Sequence, residues 1–452
     1  MKLKPPQSVA LSFLFAILIA SALLYLPISQ AEGRSLSYLD CLFTATTATC
    51  VTGLSVVEIG RTFSKFGQLV ILFFIQIGGL GIMTFSTVFA ILLGRKLTIR
   101  QNVVVQSALD QTKIEGLKGL IFHIVIITLL IEAIGIGILY SRWIHLLEFG
   151  PRQVLYYAVF HSVSAFCNSG LTLFPDSLSQ FKLDYVTIFT VSSLIILGGL
   201  GFVVLLDIPK MKFWRKERAL IFAKLNLQTK VVLSLTFCLL LIGTGAIFLL
   251  EYKGVLSELT TVGEKLMNSF FLAVTPRTAG FNTLSIRGLS ATTLFFVMVF
   301  MFIGASPGGT GGGIKTTTFS ILLSSIRSML RGKDELTLFE RTVPKAIFHK
   351  SAIIFVLSLL WIVVATFLLT IVERNLATAT NFFMQLLFET TSAFGTVGLS
   401  TGITPLLSPL GKLIIILTMY LGRIGPLTLA MAIAMRPFTA EYKYPEGKIM
   451  VG

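Results

Sequence analysis

Four short segments, each built around one glycine, recur at nearly constant spacing along this chain of 452 residues. The glycines stand 117, 110 and 118 residues apart, and each is followed directly by a bulky apolar residue. They are Gly53, Gly170, Gly280 and Gly398. A phenylalanine stands ten residues before each of them, at Phe43, Phe160, Phe270 and Phe388. A period this regular indicates four copies of one structural unit.

The sequence around these segments is strongly apolar. Hydrophobic residues make up 54% of the chain and charged residues only 13%, with a mean hydropathy of +0.86. A soluble domain has about 25% charged residues. Apolar runs of about 20 residues recur along the whole length, which predicts a polytopic helical membrane protein. The first run resembles a signal peptide, but it is long for one and completes the first repeat.

Each copy predicts the same order of elements: a long helix, a short helix, a glycine loop and a second long helix. The first long helices are expected at 8–26, 120–140, 229–250 and 348–372. The second long helices are expected at about 66–93, 186–206, 292–330 and 412–435. The short helices are expected at 38–49, 154–165, 264–275 and 381–393. With about twelve residues they cannot cross ~30 Å of hydrocarbon, so they are predicted to be re-entrant half-helices. The repeats are placed at 1–95, 96–215, 216–335 and 336–452.

The net charge of +16 would also fit a nucleic-acid-binding protein. The basic residues, however, concentrate in alternate loops, around positions 95–118, 210–230 and 327–350. This is the positive-inside pattern of membrane proteins. It predicts that these loops and both termini are cytoplasmic, and that the partner of the chain is a lipid bilayer and not nucleic acid.

The reactive side chains form no catalytic or metal-binding pattern in the sequence. Four cysteines and four histidines are scattered without the spacing of a disulfide framework or a zinc site. A membrane enzyme would need paired acids or a His/Asp cluster, which we do not find. We expect no enzyme activity and no cofactor on this chain.

Four re-entrant loops from four parallel repeats can meet on one axis, because non-helical backbone inside a membrane must line a water-filled cavity or be buried. We therefore predict an all-α integral membrane protein with four helix–pore-loop–helix repeats around a central, pseudo-fourfold pore. Rings of backbone carbonyls coordinate dehydrated monovalent cations. The predicted cation-binding residues are Val51, Thr52, Gly53, Asn168, Ser169, Gly170, Thr278, Ala279, Gly280, Thr396, Val397 and Gly398. The alternative is that these glycines only pack helices.

The fourth segment resembles the Thr-Val-Gly-Tyr-Gly filter of potassium channels, with the last two residues changed to Leu399 and Ser400. The position of the second channel glycine holds Ser55, Thr172, Asn282 and Ser400 in the four copies. We expect fewer carbonyl sites than in a tetrameric channel, and looser discrimination against sodium. No ring of Asp or Glu lies within the four segments, which argues against a divalent-selective pore.

The second long helix of the third repeat is interrupted by glycines and a proline between positions 304 and 316. An α-helix does not continue comfortably through such a sequence. We predict an unwound gating loop below the pore segments, made by Gly304, Ala305, Ser306, Pro307, Gly308, Gly309, Thr310, Gly311, Gly312, Gly313 and Lys315. A passive kink is one alternative. A phosphate-binding P-loop is another, but Ile314 separates Gly313 from Lys315 and the flanks are membrane helices.

Charged residues inside apolar segments are expensive and need a partner or water. Arg423, in the fourth second helix, is predicted to form part of the gate as a barrier to cations. Alternatively it holds helices together through a salt bridge or carbonyl contacts. Arg277 and Glu389 are predicted to pair and brace the pore loops. Glu132 is predicted to be a structural acid.

The chain resembles the Trk/Ktr/HKT potassium transporters, and in particular the bacterial Ktr membrane subunits. The resemblance lies in Gln76-Ile-Gly-Gly-Leu-Gly81, Thr275-Pro-Arg-Thr-Ala-Gly-Phe-Asn282, Gly422-Arg-Ile-Gly-Pro-Leu-Thr428 and Tyr444-Pro-Glu-Gly-Lys. It implies potassium uptake, often sodium-dependent, across the bacterial cytoplasmic membrane, with loop 304–316 as the gate. It also implies a homodimer and a cytosolic ring of RCK-type nucleotide-binding subunits. An alternating-access carrier is the remaining alternative, although carriers usually show two halves and not four pore-loop repeats.

Overall fold

The computed structural model describes residues 5–81, 117–208, 225–332, 335–376 and 381–428. The described residues are mostly helical. In chain order the helices are α1 (Pro5–Tyr25), α2 (Tyr38–Thr49), α3 (Ile59–Thr62), α4 (Lys65–Leu80), α5 (Leu117–Trp143), α6 (Pro151–Phe166), α7 (Tyr185–Leu200), α8 (Phe202–Asp207), α9 (Leu227–Glu251), α10 (Val262–Val274), α11 (Ala291–Phe302), α12 (Thr316–Leu330), α13 (Lys345–Val372), α14 (Phe382–Gly395) and α15 (Pro409–Ile424).

Short elements connect these helices. The 3₁₀ helices are Pro27–Ser29, Ser179–Phe181, Val255–Glu258, Ile286–Gly288, Arg374–Leu376 and Thr404–Leu406. Two short strands, Thr337–Leu338 and Arg341–Thr342, pair antiparallel with Thr337 opposite Thr342. This hairpin lies between the third and fourth repeats, in one of the loops that the charge pattern assigns to the cytoplasm.

The first helix of each repeat is long and apolar enough to cross a membrane. These helices are α1, α5, α9 and α13, with the membrane-compatible stretches Pro6–Tyr25, Ile121–Trp143, Leu227–Glu251 and Lys345–Val372. At about 1.5 Å per residue each covers the ~30 Å of hydrocarbon. Large apolar side chains such as Phe15, Phe237 and Phe367 point outward and are about two-thirds exposed. The protein is therefore a multi-pass membrane protein whose outer face contacts lipid.

The short helices of the four repeats are α2, α6, α10 and α14, as the sequence predicts. Helix α2 has the predicted bounds. Helix α6 starts three residues earlier than expected because Pro151 occupies its first turn, where a missing N–H costs nothing. Helix α10 starts with a capping box between Thr261 and Glu264. The backbone N–H of Thr261, which donates to Glu264 at 3.1 Å, lowers the pKa of that carboxyl.

The second helices of the repeats are shorter than the sequence predicts. Helix α4 ends at Leu80, and the next residue, Gly81, has a φ of 84°. Helix α7 ends before Gly201, at a φ of 93°, and α8 continues from there. Helix α15 ends before Gly425, at a φ of 89°. The expected continuous helices over 66–93, 186–206 and 412–435 are thus wrong, because each reaches a glycine in the left-handed region that no α-helix includes. Residues 82–93 and 429–435 lie outside the described part.

The four repeats close into a ring through one recurring contact. The second helix of each repeat packs against the short helix of the next: α4 on α6, α7 on α10, α11 on α14, and α15 on α2. At the last of these contacts, Lys412 Nζ lies 2.7 Å from Asp40 Oδ1, and this ion pair joins the fourth repeat to the first. The predicted pseudo-fourfold fold is therefore confirmed. The predicted repeat limits near 95 and 215 lie outside the described residues.

Candidate functional site

The four glycine loops meet at the centre of this ring. A Cβ added to any of the four glycines would press against the carbonyl oxygen of the residue before the glycine in the next repeat. The four pairs are Gly53 with Ser169, Gly170 with Ala279, Gly280 with Val397, and Gly398 with Thr52. In the first three pairs the Cβ would stand only 2.5 Å from the oxygen. We call these four the ring glycines, and the closeness of their backbones leaves no space for a side chain.

The backbone of the four loops has the same unusual conformation. The ring glycines have φ values of 99°, 69°, 76° and 89°. Two residues before each of them, a residue with a side chain also has a positive φ; these residues are Val51, Asn168, Thr278 and Thr396, with φ values of 55°, 58°, 68° and 48°. The left-handed region costs such residues about 1 kcal/mol or more. The sign of φ alternates within each loop, and this turns successive peptide groups toward the same side.

The N–H groups of these loops point away from the axis, toward the short helix that precedes each loop. The residue before each ring glycine donates its N–H to that helix at 2.8–2.9 Å. The donor–acceptor pairs are Thr52 to Thr47 O, Ser169 to Ser164 O, Ala279 to Thr275 O and Val397 to Ser392 O. The carbonyl oxygens of the same four residues accept no hydrogen bond from any other described residue. The ring therefore exposes acceptors only, which suits a cation.

A hydroxyl near the end of each short helix holds the loop that follows it. Thr47 and Ser392 accept from the N–H of Gly53 and Gly398 at 2.9 and 3.0 Å. In the other two repeats the hydroxyl donates to the carbonyl one residue after the ring glycine: Ser164 to Leu171 at 2.7 Å and Thr275 to Phe281 at 2.6 Å. Sequence reasoning missed these four braces. Their signal is a serine or threonine five or six residues before each ring glycine.

A cavity of about 760 Å³ opens on one side of the ring and touches all four ring glycines. The residues at the second-glycine position line it: Ser55, Thr172, Asn282 and Ser400. In the first three repeats this side chain donates to the carbonyl two residues later, at 2.5, 2.8 and 3.3 Å. These donors are thus held by their own loops.

The other side of the ring is covered by the non-helical loop between α11 and α12. The N–H groups of Ser306 and Thr310 donate to the carbonyls of Gly199 and Gly198 at 3.0 and 3.1 Å. Gly312 N donates to Thr396 Oγ1, at the start of the fourth glycine loop, at 3.0 Å. The predicted interruption of this helix is thus present, and it lies directly against the ring.

Arg423 joins this loop to the first repeat. Its guanidinium donates to the carbonyl oxygens of Thr310 and Gly78. A cavity of about 490 Å³ lies beside it and is also lined by Lys315 and Lys350. Lys315 Nζ donates to Gly311 O at 2.9 Å. Arg423 and Lys315 therefore both hydrogen-bond to carbonyl oxygens of the loop. For Arg423, these are the carbonyl contacts that the sequence analysis gave as the alternative to an electrostatic barrier.

Comparison with known proteins identifies the family. Residues 7–442 match the family model TrkH, described as a cation transport protein. The chain belongs to the TrkH family of cation transport proteins. It is 41% identical over 99% of its length to the Ktr system potassium uptake protein B of Bacillus subtilis, covering 97% of that protein. It is 38% identical over its whole length to the potassium/sodium uptake protein NtpJ of Enterococcus hirae, covering 98% of it.

The fold agrees with a solved structure of this family. The crystal structure of the potassium transporter TrkH from Vibrio parahaemolyticus matches 94% of this chain and 84% of that one, with a TM-score of 0.69 and 18% identity. The members named here are transport proteins. The chain is accordingly not an enzyme, as the sequence predicts.

Arg277 and Glu389 do not pair in this TrkH-family chain, so that prediction is wrong. Glu389 Oε1 accepts from Ser400 Oγ at 2.5 Å and from Thr401 N at 2.9 Å, and Oε2 accepts from Thr404 Oγ1 at 2.8 Å. Arg277 donates instead to Thr236 Oγ1 at 3.1 Å. The hydroxyls just after the fourth loop lie closer to Glu389 and satisfy its carboxylate.

Glu132 lies beside the second glycine loop. Its carboxylate accepts from Gln76 Nε2 at 3.4 Å, and Cys167 Sγ lies 4.0 Å away. Cys167 directly precedes Asn168 in the chain. Glu132 is buried and its polar contacts are long, so it is less completely hydrogen-bonded than the structural acid that the sequence predicts.

Glu389→Ala tests whether the hydrogen bonds that Glu389 accepts from Ser400, Thr401 and Thr404 brace the fourth glycine loop. We expect it to lower the melting temperature of the detergent-solubilised protein by roughly 5 °C or more, because several buried donors lose their acceptor. Glu373→Ala is the matched control, since this buried acid accepts from Ser408 N and Oγ at 2.9 and 2.7 Å, away from the ring. Both variants should lose stability, and only Glu389→Ala should also weaken cation binding. Equal cation affinity in the two would contradict the brace.

Proposed function

We propose that this chain takes up potassium ions through its own four-repeat pore, as the membrane subunit of a Ktr-type system. The observation that carries the proposal is the closed ring of backbone carbonyls without hydrogen-bond donors around the four ring glycines. The names of the relatives, potassium uptake and potassium/sodium uptake proteins, support the choice of ion.

In this proposal the ring is the selectivity filter. The carbonyls of the loops around Gly53, Gly170, Gly280 and Gly398 replace the hydration shell of the ion, without a fixed charge that would trap it. The four short helices point their C-terminal ends toward the loops, and the negative ends of their dipoles favour a cation there. The backbone hydrogen bonds from the residue before each ring glycine to the preceding short helix keep these N–H groups turned away from the ion.

Selectivity for potassium over sodium is expected to be modest. Each repeat carries one ring glycine, and in three repeats the residue at the second-glycine position donates to the carbonyl two residues later, while Ser400 donates to Glu389. The outer carbonyl sites of a full Thr-Val-Gly-Tyr-Gly filter are therefore not expected here. The relative named for both potassium and sodium is consistent with a role for sodium as a second or coupling ion.

The 304–316 loop is proposed to be the gate, held closed by Arg423. It lies between the ring and the 490 Å³ cavity, and it touches both the second and the fourth repeat. In the closed position the loop obstructs the path, and the positive charge of Arg423 opposes cations. Opening would require the hydrogen bonds from Arg423 to Thr310 and from Gly312 to Thr396 to break.

We further propose the membrane setting and the partners of the chain. The charge pattern favours a bacterial cytoplasmic membrane with both termini and the basic loops in the cytoplasm. The names of the relatives as proteins of a "Ktr system" support a system of several components. We propose a homodimer and a cytosolic RCK-type nucleotide-binding ring that acts on the gate.

Purified protein in liposomes tests this function. With potassium and sodium gradients varied separately, we expect rapid potassium uptake that rubidium competes with and organic solutes do not affect. Sodium is expected to change the potassium flux or to pass at a lower rate. Slow, saturating transport with competition by a solute would instead support an alternating-access carrier. No cation flux in folded protein would contradict the proposal.

A further inference from the structure

We infer that a cavity between the first and second repeats binds the phosphate headgroup of an anionic phospholipid. The cavity has a volume of about 850 Å³ and shares no lining residue with the ring or the gate. One wall is the start of α4 with the residues before it, and the other is the start of α6. Its lining residues include Lys65, Gln68, Arg152, Gln153 and Tyr156.

The charge of this cavity is one-sided. Lys65 is the first residue of α4 and Arg152 is the second residue of α6, so each of the two walls contributes one cation to the lining of the cavity. Among the described residues neither makes an ion pair, and no acid lines the cavity. The acids near it in sequence are Glu58, which pairs with Arg61 at 3.2 Å, and Glu148. A phosphate placed between the two cations would gain charge-assisted hydrogen bonds from both.

The floor of the cavity is preorganised by a buried amide. Gln68 Nε2 donates to Phe63 O at 2.8 Å, and its Oε1 accepts from Tyr156 OH at 3.0 Å. This bond joins α4 to α6 across the boundary between the repeats. The two cations are therefore presented from a fixed frame, and less ordering entropy opposes binding.

The surface next to the cations is suited to acyl chains. Phe66, Leu69 and Phe73 follow Lys65 along one face of α4 and are 43%, 51% and 51% exposed. Leu155, on α6 beyond Arg152, is 46% exposed. The cations would bind the headgroup of a phospholipid, and the adjoining apolar side chains would contact its acyl chains. Because the two surfaces are continuous, a lipid is favoured over free phosphate.

The inference rests on the proposed orientation, which places this cavity in the outer leaflet. Other basic residues on that side, such as Arg61 and Lys182, pair with an acid, whereas Lys65 and Arg152 make no ion pair among the described residues. A lipid bound at this position would bridge α4 and α6, the contact through which the first repeat holds the second.

Lipid retention by the full-length protein tests the site. Wild type and Lys65→Ala/Arg152→Ala would be equilibrated in nanodiscs of phosphatidylglycerol and phosphatidylcholine, extracted, and examined by native mass spectrometry. We expect the double variant to retain about tenfold less phosphatidylglycerol, with unchanged phosphatidylcholine. Lys253→Ala/Arg374→Ala, which removes two exposed cations after α9 and α13, is the matched control and should retain wild-type levels.

Several results would overturn the site. Equal phosphatidylglycerol in the variant and the control would do so, and so would an equal loss of both lipids, because the charge would then play no part. Inorganic phosphate alone distinguishes the sources: if it raises the melting temperature of delipidated wild type but not of the variant, and displaces the lipid, the site is one for free phosphate. Potassium flux in liposomes is measured separately, so a failed lipid site leaves the proposed transport standing.

Discussion

Replacing Gly398 by serine is expected to lower the apparent affinity for potassium by on the order of tenfold or more. A Cβ at this position would press on Thr52 O and would lie 2.7 Å from the Cα of Gly53. The φ of 89° adds strain of about 1–2 kcal/mol for any residue with a side chain. The carbonyl of Thr52 must then move off its position in the ring, and a loss of about 1.4 kcal/mol in ion coordination is already tenfold. Potassium-dependent uptake kinetics in liposomes or in a transport-deficient strain measure the change.

Gly402→Ser is a close control for this experiment. Gly402 has the same φ of 89°, four residues further along, but an added Cβ would meet nothing within 4 Å. Backbone strain is therefore similar in the two variants, and only Gly398→Ser crowds the ring. If both variants shift the potassium affinity equally, the ring has no special role, and the filter assignment fails with it.

Removing the charge of Arg423 with Arg423→Ala is expected to raise potassium flux. The variant loses the two bonds, to Thr310 O and to Gly78 O, by which Arg423 joins the 304–316 loop to the first repeat. It also removes a positive charge beside the proposed ion path. At about 8 Å and an effective dielectric constant of about 20, a unit charge repels a potassium ion by about 2 kcal/mol. Lowering the barrier by that amount would raise the rate of ion passage roughly 30-fold. Solvent screening weakens the repulsion, so this value is an upper bound.

Two further variants separate the charge of Arg423 from its contacts. Arg423→Lys keeps the charge and loses the two-pronged donor geometry, so a flux between those of wild type and Arg423→Ala indicates that both effects operate. Lys350→Ala removes a charge from the same cavity, and among the described residues Lys350 makes no hydrogen bond to the loop, so its flux isolates the electrostatic part. Unchanged or abolished flux in a normally expressed Arg423→Ala protein is incompatible with a gating role.

The helices that cross the membrane were predictable because burial in lipid leaves few choices. An apolar run of about 20 residues must form a helix, and one of about twelve cannot span. Helix α2, with twelve residues, is one such short helix, and it has the predicted bounds. The breaks at Gly81, Gly201 and Gly425 were not predictable, since a glycine in an apolar helix equally fits close packing. At Gly201 the deciding contact comes from Pro307 in another repeat, whose carbonyl oxygen would lie 2.5 Å from an added Cβ.

Polar contacts inside the membrane were harder to predict. Arg277 and Glu389 are opposite charges near two of the loops, and the sequence alone favours pairing them. In the fold, Glu389 is satisfied by hydroxyls only 11 to 15 residues further along the chain, while Arg277 turns to Thr236. Which of several donors reaches a buried acid depends on helix rotation and on packing at the level of a few ångströms, and the residue pattern carries neither.

The sequence by itself determined that this chain is a membrane protein of four repeats, because hydropathy and a period of 110–118 residues are properties of the linear chain. The tertiary structure alone decided that the repeats close head to tail, so that each ring glycine faces a carbonyl of the next repeat. It also decided that the 304–316 loop and Arg423 meet beneath that ring. These contacts join residues more than 80 positions apart, and only the packing of α4, α7, α11 and α15 against the neighbouring short helices brings them together.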